Sequence, residues 1–92
     1  MFPSKPELTI TIPSKTELLK MVVELTKHIA TINQFIPSES QMIALAVDEA
    51  ITNVIKHSYQ SEIDRDIRLE YFTDGSGLKI KIIFTGAPPV FT

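Results

Sequence analysis

Residues Asp74-Gly75-Ser76-Gly77 separate two runs of alternating side chains, a pattern that a chain can satisfy well only as a β-hairpin. Before the break, Ile67, Leu69 and Tyr71 alternate with Arg68, Glu70 and Phe72. After it, Leu78, Ile80, Ile82 and Phe84 continue the inward face. Asp and Gly supply the conformations a tight reversal needs. A third alternating segment lies far upstream, where Leu8, Ile10 and Ile12 oppose Thr9 and Thr11 before Pro13 ends the strand.

Between these strands the apolar period lengthens to that of a helix. Leu18, Val22, Leu25, Ile29, Ile32 and Ile36 recur at three- and four-residue steps. They predict a helix opened by a Ser14–Glu17 capping box and closed at the Phe35-Ile36-Pro37 break. Ser38 and Gln41 form a second capping box, followed by a helix that buries Ile43, Ala46, Val47, Ala50, Ile51 and Val54. The short link between the helices predicts antiparallel packing. Residues Gln60 to Asp66 are polar and without period, and so read as a loop. The order strand, helix, helix, strand, strand favours an α+β layer, with helices on one face of the sheet.

Composition narrows the function classes. With 92 residues the chain forms one domain at most, near the lower size at which a single core sustains folding. Apolar content of 43% with 22% charged residues describes an ordered globular protein. The absence of cysteine excludes a disulfide framework, a thiolate metal site and a cysteine nucleophile. No signal peptide or membrane-length apolar run is present, so a cytoplasmic protein is expected. A net charge of −2 from mixed signs gives no basic block for nucleic acid or anionic lipid. No nucleophile sits in a Gly-flanked turn, and His28 has no spaced second ligand and reads as a surface residue.

The segment Ala46 to Tyr59, AVDEAITNVIKHSY, places Glu49, Asn53 and His57 at successive four-residue steps along an otherwise apolar helix. Glu49 and Asn53 fall at the margin of the buried face, where a side chain can leave the core and enter a cleft. A carboxylate there can take a proton from a hydroxyl, and a carboxamide one turn on can give its oxygen to Mg²⁺. Lys56 and His57 extend such a site toward phosphate oxygens. A duller reading has Glu49 as a solvated boundary residue, Asn53 bonding a neighbouring loop and His57 satisfying a backbone carbonyl.

Glu49-x-x-x-Asn53 within this segment resembles the N box of the GHKL ATPase and kinase superfamily. Glu first, then Thr-Asn and Ile-Lys-His-x-Tyr, is similar to the bacterial anti-sigma factor serine kinases. The strand, long helix, N-box helix and Gly-containing hairpin follow the family's order over nearly the whole chain. The resemblance implies a two-layer α/β sandwich of the GHKL, or Bergerat, ATP-binding type, with residues 1–92 as a single partial histidine-kinase-like ATPase domain, incomplete at its C-terminal end. It implies ATP and Mg²⁺ as cofactors, Glu49 as general base toward a serine of an antagonist protein, and Asn53 as magnesium ligand. Asn53, Lys56, His57 and Gly86 are the implied nucleotide-side residues, and a sigma factor and an antagonist are the implied partners in regulating transcription. A homodimer fits as well.

Two features depart from the family pattern. The Asp-x-Gly triplet corresponds to Phe84-Thr85-Gly86, which keeps the glycine but sets Phe84 where the adenine-reading carboxylate would stand. Strand alternation puts Phe84 inward, to fill core volume or to stack in an adenine pocket. The tail Gly86-Ala87-Pro88-Pro89-Val90-Phe91-Thr92 follows without the lid and further strands that the resemblance implies. It folds back, is completed by a partner, or belongs to a longer parent. Two functions therefore stand side by side: an ATP-dependent serine kinase, and a kinase-derived module that binds a sigma factor or antagonist without turnover.

Overall fold

The computed structural model describes residues 2–58 and 65–85. Strand β1 (Leu8–Pro13) leads through a tight 3₁₀ turn at Thr16–Leu18 into helix α1 (Leu19–Ile32), and helix α2 (Pro37–Asn53) follows. A π-helical turn, Val54–Ser58, extends α2, after which β2 (Asp66–Thr73) and β3 (Leu78–Thr85) form the hairpin. The sheet order is β1-β2-β3, antiparallel throughout, with Leu8 opposite Tyr71, Ile10 opposite Leu69, and Ile67 opposite Phe84. This is the expected α+β architecture. Of the loop expected over 60–66, residues 60–64 lie outside the described residues, as do Gly86 and the tail.

The hairpin turn is held by one carboxylate. Asp74 Oδ1 accepts from the Ser76 N–H at 3.0 Å, the Ser76 hydroxyl at 3.0 Å and the Gly77 N–H at 2.9 Å. The Ser76 N–H contributes most to holding the Asp74 carboxyl below the ordinary carboxylate range. Gly75, at φ +87°, takes the left-handed position that a residue with a Cβ resists.

Both helix starts differ from the capping-box expectation. Ser14 is buried, and its hydroxyl oxygen accepts from the Arg65 N–H at 3.2 Å while its own N–H donates to the Arg65 carbonyl at 2.8 Å. Its hydroxyl is thus engaged in fastening the end of β1 to the entry of β2, and the first turn goes without a side-chain cap. In α2 the helix begins at Pro37, a favoured first position, and Glu39 Oε1 accepts from the Ile36 N–H at 3.2 Å. With Pro37 as first helical residue the N-cap is Ile36, two residues ahead of the Ser38 expectation.

The core joins α2 to the sheet through Val47, Ile51, Val54 and Ile55 against Ile67, Leu69 and Tyr71. The buried row of α1 is Val22, Thr26 and Ala30, whereas Ile32 and Ile36, expected on the apolar stripe, are exposed. Leu18 and Ile29 of the stripe do pack against the core, so the departure is confined to its C-terminal end, where Ile32 closes α1 and Ile36 precedes α2. Thr26 belongs in the buried row because it is hydrogen-bonded. Its Oγ1 donates to the Val22 carbonyl at 2.8 Å, so in the 2.9 Å contact with Tyr71 the phenol is the donor, since a hydroxyl has one proton. Burial raises the Tyr71 pKa, which keeps the phenol a neutral donor.

Helix α1 ends in a Schellman arrangement, with the Gln34 N–H donating to Thr31 and the Phe35 N–H to Ala30, both at 3.1 Å. Gln34 holds the left-handed position at φ +73°. Gln34→Gly is expected to raise unfolding free energy by about 0.5–1 kcal/mol in urea titration, because the left-handed penalty exceeds the added chain entropy of glycine. Thr26→Val is expected to cost about 1–3 kcal/mol by orphaning the buried Tyr71 hydroxyl. Tyr71→Phe is expected to cost less, about 0.5–1.5 kcal/mol, since Thr26 keeps its carbonyl partner. Equal losses for the two variants would contradict that assignment of donor and acceptor.

Candidate functional site

Helix α2 places its last two turns so that one side enters the core and the other borders an open hollow. Val47 and Ile51 are buried, and this fixes the rotation of the helix about its axis. Asp48, Glu49, Thr52 and Asn53 then line a hollow of about 350 Å³. Asp48 and Thr52 are half-buried at its inner side, while Glu49 and Asn53 are exposed at its outer side. The four make two parallel rows, each one helical turn long: Asp48 with Thr52, and Glu49 with Asn53.

Glu49 and Asn53 are the pair singled out from the sequence. Asp48 and Thr52 were not, although the signal was available: a row displaced by one residue lies about 100° round the helix and borders the same recess. Every donor the recess offers is a hard oxygen, from two carboxylates, a carboxamide and a hydroxyl. Such a set suits Mg²⁺, which takes few protein oxygens and keeps water and phosphate for the rest. Among the described residues no group of three or more His, Cys, Asp or Glu is placed to hold a metal ion.

Lys56 and His57 do not join that lining. They lie on the π-helical turn, both exposed. Hydrogen bonding from i to i+5 widens the turn by a residue, so the four-residue step from Asn53 to His57 no longer stacks the two side chains. Val54 and Ile55 are both buried beside each other there. The alignment of three groups expected from a regular helix is therefore an alignment of two. Gly86 lies outside the described residues.

Phe84 also departs from expectation. Register with Ile67 places it on the inward face, as alternation predicts, yet it is 48% exposed and fills no core. Helix α2 covers β3 only loosely: Ile43, Ala46 and Val47 face Leu78, Ile80 and Ile82 across a groove of about 270 Å³. A second feature was not read from the sequence at all. Met42 at 70% exposure and Leu45 at 54% form an uncovered apolar row on α2 that leads, at helical spacing, to Glu49. His28 is exposed on α1, as expected.

Two helices on a three-stranded antiparallel sheet, with a Glu-x-x-x-Asn pair bordering a recess, define the class as a partial GHKL-type ATPase fold. The sequence profile of the histidine kinase-like ATPase domain matches residues 12–90, and the chain belongs to that family. It is also similar to proteins named serine-protein kinase RsbW from Listeria monocytogenes and Listeria innocua, each 29% identical over 80 residues. That stretch is 87% of this chain and 51% of each relative, so the chain spans about half the length of the curated relatives it matches. No solved structure matches the chain. No helix among the described residues is long and apolar enough to cross a membrane.

Proposed function

We propose that this chain supplies the N-box half of an ATP-dependent serine kinase of the anti-sigma factor type, acting on an antagonist protein and binding a sigma factor in the control of transcription. The observation that carries this reading is the recess bordered by Glu49 and Asn53 on a helix whose rotation is fixed by buried Val47 and Ile51. Similarity to the RsbW serine-protein kinases adds support.

Glu49 acts at the serine hydroxyl. Its carboxylate accepts the Oγ–H proton as the oxygen bonds to the transferred phosphorus and the bond to the departing diphosphate breaks, leaving a phosphoserine and ADP. Exposure keeps that carboxylate within reach of a protein substrate, and the Met42 and Leu45 row beside it offers apolar surface for the segment bearing the serine. Asn53 Oδ1 holds Mg²⁺, with Asp48 and Thr52 as the further oxygen donors of the recess. When bound, the ion neutralises charge on the phosphates. Lys56 and His57 stand one π-turn further along, exposed to nucleotide phosphates approaching from that side, and Gly86 belongs to the same nucleotide-side group. Mostly positioning and charge compensation are required, and a rigid helix supplies both. Residues 1–92 act in this as one partial domain, operating in the cytoplasm, and a homodimer is compatible with it.

Phe84 favours a second reading, in which the chain is a kinase-derived module that binds a sigma factor or antagonist without turning over ATP. An aromatic ring cannot accept a hydrogen bond from the adenine amine as a carboxylate does.

Nucleotide titration separates the two. Under the kinase reading, ATP binding requires Mg²⁺, and Asn53→Ala weakens it about tenfold or more. Glu49→Gln leaves binding within about twofold of the parent while lowering transfer to a serine-bearing partner by at least about a hundredfold. Flat titrations from folded protein overturn the kinase reading and leave the binding module, and equal loss of binding and transfer in Glu49→Gln assigns Glu49 a structural role.

A further inference from the structure

The face of the sheet turned away from both helices carries a charge pattern that the recess on α2 does not use. Alternation along β2 and its register with β3 put Asp66, Arg68, Glu70, Phe72, Lys79 and Lys81 on this face. Three cations stand there against two carboxylates, Glu70 and Asp66, the second at the far end of β2, leaving +1 on a chain whose net charge is −2.

The cations are held in place. Lys79 Nζ lies 4.8 Å from the Phe72 ring centroid and 5.7 Å from that of Phe2, and Lys81 Nζ lies 5.8 Å from Phe72. These contacts keep two like charges together above the sheet. Among the described residues neither lysine pairs with a carboxylate, because Glu70 stands instead 3.6 Å from Arg68 Nε. That distance exceeds a hydrogen bond, and the same Nε is closed off from solvent without an acceptor. Phe72 is 4% exposed on a face where alternation calls for a polar residue.

We propose that this outer sheet face docks an acidic segment of a protein partner, whose carboxylates meet Lys79 and Lys81 and draw the Arg68 guanidinium into a paired geometry. Phe72, Glu70 and Arg68 stand at two-residue steps along β2, so the patch runs about 13 Å, the reach of about four extended residues. A short acidic peptide is favoured over a nucleic acid or an anionic membrane by charge. Taking this face's +1 from the net −2 leaves −3 on the rest of the chain, which repels a polyanion extending beyond the patch over a screening distance of about 8 Å. The surface lies across the sheet from the recess of Asp48, Glu49, Thr52 and Asn53, so it stands independently of any nucleotide chemistry.

The test is fluorescence anisotropy of the full chain with a dye-labelled (Glu-Ala)₄ peptide, beside octadeoxythymidine and phosphatidylserine vesicles. The expected result is saturable peptide binding that falls with added salt and drops about tenfold or more in Lys79→Glu/Lys81→Glu, with Asn53→Ala unchanged. Both lysines are exposed, and Arg68→Gln serves as a second variant should the double reversal misfold, with weaker binding expected. A flat titration, binding insensitive to these substitutions, loss in Asn53→Ala, or stronger binding of the oligonucleotide or vesicles overturns the proposal.

Discussion

The contact between α2 and the inner sheet face governs the rest of this structure. Ile51, Ile67, Leu69 and Tyr71 are fully buried, and each large apolar side chain so placed contributes about 1.5–3 kcal/mol relative to exposure. Because Val47 and Ile51 must point at the sheet, Glu49 and Asn53 cannot, and the recess they border follows from the packing. The π-helical turn is continuous with the same interface: it brings Val54 and Ile55 inward together and thereby moves Lys56 and His57 off the line of the recess.

A short chain has little core to spare, and polar groups inside it are engaged with care. Thr26 links α1 to the middle strand through Tyr71, and Ser14 links the end of β1 to the entry of β2. Both hydroxyls replace what would otherwise be cavities or open polar atoms at element junctions. The opposite faces of the sheet then serve different ends. The inner face fixes a helix that carries oxygen donors, and the outer face holds cations over aromatic rings.

Much of this was legible in residue order. The hairpin around Asp74-Gly75-Ser76-Gly77, the strand Leu8 to Pro13 and both helices follow from local period and turn chemistry, which tertiary contacts reinforce. The Glu49 and Asn53 pair was legible because a regular helix stacks residues four apart. What was not legible depended on distant partners. Ser14 fits a capping box equally well until Arg65 competes for it, and Thr26 joins the buried row of α1 because the Tyr71 hydroxyl reaches it. The step from Asn53 to His57 fails because a π turn is chosen by burial of Val54 and Ile55, which no local pattern announces. Phe84 lies on the expected face, but its exposure depends on how far α2 reaches over β3.

The central claim is that the recess beside Asp48, Glu49, Thr52 and Asn53 receives magnesium and nucleotide phosphate. Its most direct test is the ¹H–¹⁵N correlation spectrum of the chain with Mg²⁺-ATP, following the Asn53 side-chain amide and the backbone of residues 48–53. The account predicts metal-dependent shifts centred on those resonances, with the outer-face strand positions Arg68, Glu70 and Lys81 undisturbed. Shifts absent from the Asn53 amide, or concentrated on the outer sheet face, would contradict it.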